Sequence, residues 1–334
     1  MSTLLGNPFA LGTQWPTLDP FLFCAHHLDA YPASDGALGP ALSTAGRSLG
    51  SDFSGIDGWN MYHGRKVPGF PQHPHRGFET VTYVREGWCD HSDSLGAKAR
   101  FGEGDVQWLT AGSGIVHSEM FPLFNVDASN PLHLFQIWLN LPAASKMVDP
   151  YFSMLWNDVV PIVHPLPGST VTIIAGQLGE VAAAAPPPDS WASGENGVEI
   201  WHVRLDAGAS VELPAAANGA HRVIYVFTDS DVAIDGDNVS GLTGVQLDPA
   251  VAPRISVVEE AEFLVLSGVP IGEPVAQHGP FVMNDRAGIE QAFADYQRTG
   301  FGGWPWPEDD PVHGADRRRF AVNADERSPN EPRW

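Results

Sequence analysis

The sequence predicts an all-β protein made of two β-barrels in tandem, followed by a short helix and an irregular tail. Three observations predict it. A chain of 334 residues is long enough for two core-bearing domains. Its 35 glycines and 29 prolines are scattered, cutting it into short pieces joined by turns. Pieces rich in β-branched and aromatic residues, alternating roughly in polarity, come in two sets. The first set is 80–84, 106–109 and 135–139; the second is 171–175, 199–205, 222–227, 231–234 and 263–266.

The expected domains are therefore 1–150 and 151–302, with a tail over 303–334. The Ala/Pro-rich stretch 182–196 resists both strand and long helix and reads as a surface loop within the second half. The helix is expected over 285–296, DRAGIEQAFADY. Ile289, Phe293 and Tyr296 share one face there, and Asn284 or Asp285 can cap the start. Beyond Phe301 the run GGWPWPEDDPVHG and a charged end suit an irregular segment laid partly over the surface.

Composition narrows the function. Hydrophobic residues make up 43% and charged residues 17%, enough to bury a core. With 18 Lys plus Arg against 40 Asp plus Glu, the net charge of -22 repels nucleic-acid phosphates and anionic lipid headgroups. Direct nucleic-acid and membrane partners are thereby disfavoured. Cys24 and Cys89 are too few for a disulfide scaffold and lack Cys-x-x-Cys spacing, so buried thiols are expected. The N-terminus shows no basic start followed by an apolar run, and no stretch of about 18 apolar residues occurs, which predicts a cytoplasmic protein.

The chemistry concentrates in Phe70-Pro71-Gln72-His73-Pro74-His75-Arg76-Gly77-Phe78-Glu79-Thr80 and in His117-Ser118-Glu119. On a strand, residues i and i+2 point to one face, so each His-x-His or His-x-Glu pair can aim two ligands into one barrel interior. Either pair alone reads best as ordinary histidines. Together, among glycine-punctuated strands, they read as a site for one metal ion held by His73, His75, His117 and Glu119. Three imidazoles and a carboxylate suit Fe first, with Mn, Co, Ni, Cu or Zn as alternatives, and suit Mg or Ca poorly. Four protein ligands would complete a tetrahedral zinc site, whereas a metal preferring six positions would keep two open for chemistry.

The blocks HPHRGFETVTYV (73–84), GDVQWLTAGSGIVHSEM (104–120), FQIWLNLP (135–142) and GPFVMNDRAGIEQAFADYQRTGFG (279–302) resemble those of the pirins, which are bicupins. The likeness runs from about residue 20 to 302. It implies two jelly-roll-like cupin barrels, with one iron in the N-terminal barrel held by the four residues named above. Many other cupins take their carboxylate from the position of Glu79; in pirins that role passes to the later glutamate, so Glu79 is expected to support a ligand from behind.

The resemblance also implies a quercetinase-type dioxygenase, which opens the heterocyclic ring of flavonols with dioxygen and releases carbon monoxide. A small aromatic or polyphenolic substrate would follow, with Glu119 serving as ligand and as catalytic base. Phe53, Met61, Phe78, Trp108 and Phe135 are candidates to line its pocket, although each also serves simply to fill a barrel. Arg65 and Lys66 could flank the mouth. Eukaryotic pirins suggest an alternative, an iron-dependent redox-sensing transcriptional co-regulator acting through protein partners, and a bacterial regulator that binds and inhibits a metabolic enzyme is a further one. In the second barrel His202 and His221 stand apart, and no metal is expected there. His26 and His27 are adjacent and should face opposite ways.

Overall fold

A computed structural model describes residues 3–322. Among the described residues the fold is mostly β with one α-helix, Arg286–Thr299, and is built as two β-barrels. The chain forms two compact units, and neither is continuous in sequence. One comprises 26–136, 143–157 and the residues from 273 onward; the other comprises the residues up to 25, then 137–142 and 158–272. A single boundary at 150 does not divide them. Leu4 pairs with Leu247, and Trp15 stacks on Tyr225 at 5.3 Å, so the N-terminal residues pack with the later barrel. The C-terminal residues turn back onto the earlier one. Such contacts are long-range and leave no mark on local composition.

In the first barrel the smaller sheet runs, in order, Phe320–Val322, Lys98–Gly102, Trp88–Asp93, Ile115–Met120 and Gly69–His75. The larger sheet carries Tyr151–Leu155, Asp105–Thr110, Phe78–Glu86 and the adjoining parts of Asn130–Asn140 and Phe21–Tyr31. Between them lies a core that includes Val84, Phe101, Leu109, Ile115, Phe121, Leu134 and Phe152. Each such side chain contributes about 1.5–3 kcal/mol by leaving water. Thr82 contacts Glu119 across this interior, so the inward residues of Phe78–Glu86 are Phe78, Thr80, Thr82 and Val84.

The helix is capped by Asp285, whose Oδ1 accepts from the Gly288 N–H at 2.7 Å. Its buried face, Ile289 and Ala292 with Phe293 and Tyr296 beside them, packs on Phe281, Phe301 and Val116. Phe301 presses against Gly114, where φ is +132° and a Cβ would meet the ring at 2.6 Å. Arg76 fastens the same region, donating from Nη1 to Asp295 at 2.9 Å and from Nε to the Ser113 carbonyl at 2.7 Å. These contacts brace one end of the histidine-bearing strand pair, where Gly69–His75 ends and Ile115–Met120 begins.

The tail is irregular through residue 319 and then adds the Phe320–Val322 strand to Lys98–Gly102. On the way its backbone and side chains are tied to the smaller sheet. The Gln72 N–H donates to the Asp309 carbonyl at 2.7 Å, Trp306 Nε1 to the Asp93 carbonyl at 2.8 Å, and the His313 N–H to Asp90 at 2.8 Å.

The second barrel repeats the strand order of the first. Its larger sheet runs Thr243–Leu247, His221–Val226, Ala261–Gly268, Glu199–Leu205, Ser169–Ala175, and its smaller sheet Ser210–Glu212, Arg254–Val257, Val232–Ile234, Asp237–Val239. The pair Ser210–Glu212 and Arg254–Val257 occupies the place of the ligand-bearing pair, yet it turns Val211, Ile255 and Val257 into the core. His202 Nε2 lies 2.7 Å from Glu262 Oε2, and His221 Nδ1 donates to the Asp19 carbonyl at 3.0 Å. In the 182–196 stretch Ala182 ends a two-residue strand, a turn closes from Ser190 N–H to the Pro187 carbonyl at 3.0 Å, and Trp191–Ser193 forms a 3-10 turn capped by Ser190.

Candidate metal centre

Gly69–His75 and Ile115–Met120 are antiparallel neighbours in which His73 stands directly opposite His117. Alternation then places His75 and Glu119 on the same face, two residues along each strand. The three imidazoles each offer a nitrogen within 4.8 Å of the other two. Their ring centroids are 4.4 Å apart for His73 and His117, 4.8 Å for His73 and His75, and 4.9 Å for His75 and His117. The Pro71 carbonyl accepts from His73 Nδ1 at 2.8 Å, which leaves Nε2 facing its fellows. His75 and His117 are buried, and His73 is half-buried.

Glu119 stands outside this triangle, but only just. Its Oε2 is 4.0 Å from His117 Nε2, and the carboxylate accepts from Gln136 Nε2 at 2.6 Å and from Thr82 Oγ1 at 3.2 Å. Burial raises its carboxyl above the ordinary range, against the opposing pull of His91, Gln136 and Thr82. Burial likewise lowers His73 to about 4, and it drives His75 and His117 well below 6.5 with help from the neighbouring imidazoles. The set is therefore three neutral nitrogen donors beside a basic carboxylate. That is a donor set fit for a first-row divalent metal.

The pirin profile matches residues 40–139, and the profile of the pirin C-terminal cupin domain matches residues 200–302. A pirin-like protein of Caulobacter vibrioides is 38% identical over 274 residues, which is 81% of this chain and 95% of that protein. The chain belongs to the pirin family. A Pseudomonas aeruginosa protein that carries the provisional name quercetin 2,3-dioxygenase is 37% identical, over 69% of this chain and 79% of its own. Among solved structures, a quercetin 2,3-dioxygenase from Acinetobacter baumannii matches with a TM-score of 0.70 and 26% identity, covering 90% of this pirin and 99% of that chain.

Around the pirin site the structure sorts the sequence-based candidates. Phe78 is buried 5.0 Å from the His75 ring and faces the ligands. Met61 is wholly buried in the barrel core. Phe53 is 56% exposed, 5.2 Å from His63 and 5.5 Å from Tyr62. Trp108 and Phe135 do not line the ligand side. Trp108 pairs with Val81, while Thr82 pairs with Gln107, so the strand's alternation turns Trp108 to the opposite face of the sheet. Phe135 lies on that face too, against Tyr83 and His26. Glu79 is also there, accepting from Thr110 Oγ1 at 2.8 Å, and so cannot back a ligand on the inner face. Arg65 and Lys66 are exposed.

Other residues face the centre that spacing did not single out. His91 stands directly opposite Glu119 on the next strand, 5.5 Å ring to ring from His117, with its Nε2 3.1 Å from Asp93. His27 turns toward Phe70 and Tyr62, while its neighbour His26 meets Phe135, as alternation requires. The alternating His91-Ser92-Asp93 was the available signal, since it has the i, i+2 form of the ligand pairs.

The lowered imidazole pKa values set the pH response of metal binding. A proton competes for a free histidine ligand below about 6.5, whereas His73 binds one only near 4. As pH falls from 6.5 toward the His73 range, any loss of affinity then belongs to Glu119, whose pKa is raised. In Glu119→Gln the affinity should be flat over that window in competition titrations. A decline beginning at pH 6.5 in the variant would contradict neutral, desolvated imidazoles.

Proposed function

We propose that this pirin is a quercetinase-type dioxygenase in which His73, His75, His117 and Glu119 hold one iron ion. The observation that carries the reading is the convergence of three buried or half-buried imidazoles within 4.8 Å beside a buried carboxylate. The Acinetobacter baumannii quercetin 2,3-dioxygenase and the Pseudomonas aeruginosa relative supply the reaction class. A metal bound there would supply Lewis acidity, making the 3-hydroxyl proton of a flavonol easier to remove.

The chain's own groups do the rest. Glu119 accepts the hydroxyl proton on a carboxylate oxygen. Gln136 and Thr82 fix the orientation of that carboxylate. On the His73 side, Phe70 lies 6.3 Å from His73, 5.6 Å from His63 and 5.1 Å from Tyr62. With the exposed Phe53 these rings offer a shelf for a flat polyphenol, and the open His73 marks the direction of approach.

The test is anaerobic reconstitution with iron, followed by assays of flavonol consumption and carbon monoxide release. Wild type is expected to turn over and His75→Ala to be inactive. Glu119→Gln is expected to lose at least about 100-fold in kcat, the lower range for a positioned general base. Full turnover by Glu119→Gln with iron retained would exclude the carboxylate as base. Iron-loaded wild type that consumes no flavonol would exclude the reaction.

A further inference from the structure

We propose that the first barrel contains an internal water site behind Glu119, seated between Gln107 and His91 with Thr80 alongside. The interior of a barrel is a costly place for polar atoms without partners. Gln107 is fully buried on Asp105–Thr110, and among the described residues neither its Oε1 nor its Nε2 has a hydrogen-bond partner. The same holds for His91 Nδ1 and Thr80 Oγ1. Left dry, each such atom keeps the full cost of its lost hydration.

The strand registers bring these residues to one part of the interior. Glu119 and Thr82 touch across the barrel at 3.2 Å. His91 is the strand neighbour of Glu119 on one sheet, and Gln107 is the strand neighbour of Thr82 on the other. His91 also packs at 5.0 Å on Phe152, whose strand places Met154 opposite Gln107. Thr80 lies two residues before Thr82 on the same inward face.

Their chemistry is complementary to water. Asp93 takes the Nε2 proton of His91, so Nδ1 needs a partner of its own. Gln107 offers one acceptor and two donors, and Thr80 offers a hydroxyl. A molecule with two donors and two acceptors satisfies them, and buried waters ordinarily make about three hydrogen bonds of this kind. Because Thr82 donates to Glu119, the water stands one residue from the carboxylate. Gln107 makes no bond to Glu119 itself; through the water and its strand neighbour Thr82 it would act on that carboxylate as a positioning residue.

The first readout is electron density at a resolution that shows ordered water, for metal-free wild type and Gln107→Met. The expected result is a water within hydrogen-bond distance of both the Gln107 amide and His91 in wild type, and its loss in the variant. A dry wild-type interior in which Gln107 and His91 bond directly would overturn the site, and that result needs no variant to fold. A water unmoved in Gln107→Met would overturn the role of Gln107. The second readout rests on the proposed metal centre. Affinity for Fe(II) in Gln107→Met should fall about tenfold, the low end for loss of outer hydrogen bonding. Unchanged affinity would remove the link to Glu119, while the density alone decides the water.

Discussion

Replacing His117 by alanine is expected to lower metal affinity by more than about 100-fold, since losing even the outer hydrogen bonds of a ligand costs 10–100-fold. His117 is the hub of the centre. It is fully buried, directly opposite His73, 4.9 Å ring to ring from His75, and 4.0 Å from Glu119. No other described side chain could replace its nitrogen on that strand, because Val116 and Ser118 point to the other face. The metal-free protein should respond differently. Neither nitrogen of His117 has a hydrogen-bond partner among the described residues, so its removal relieves a buried polar group while leaving a small cavity. These effects oppose, and the apo melting temperature should move little. Thermal melts with and without Fe(II) separate the two. Wild type should gain stability on adding metal, and His117→Ala should gain none. An equal metal-dependent shift in both would remove His117 from the centre.

Much of this architecture was legible in the chain because its signals are local. The two His-x-His and His-x-Glu pairs needed only a period of two to be read as inward-facing ligands, and DRAGIEQAFADY carries its cap and its apolar face within twelve residues. Register was not local. Whether Trp108 faces the ligands depends on its pairing with Val81 rather than Thr82, a one-residue matter that flips every side chain of the strand. Glu79 was misplaced for the same reason. The unit boundaries escaped because they depend on returning segments, such as Leu4 against Leu247 and Asp309 against Gln72. His91 and Gln107 look like ordinary polar strand residues until their buried surroundings are known.

The second large effect is on the framework that carries these ligands. Asp90 and Arg100 form a bidentate pair with no solvent exposure, Nε to Oδ1 and Nη2 to Oδ2 both at 2.6 Å. Arg100 also donates to the carbonyls of Gly314 and Asp316, and its guanidinium lies 4.8 Å over the Phe124 ring. Asp90 accepts in addition from the His313 N–H. Asp90→Ala would strand a buried guanidinium and release the tail from the sheet at once. The expected loss is about 3–5 kcal/mol, the cost of removing one partner from a buried pair. Arg100→Met should be similarly harmful, because it leaves the carboxylate unpaired. Combining both changes should recover much of the loss, since no charge then remains to be solvated. Urea unfolding of the four proteins closes the cycle. Strictly additive losses would mean that the ion pair is incidental and the tail contacts carry the stability. Because Asp90 pairs with Met120, next to Glu119, the single variants should also bind metal more weakly, and the double variant should recover part of that affinity as the sheet is restored.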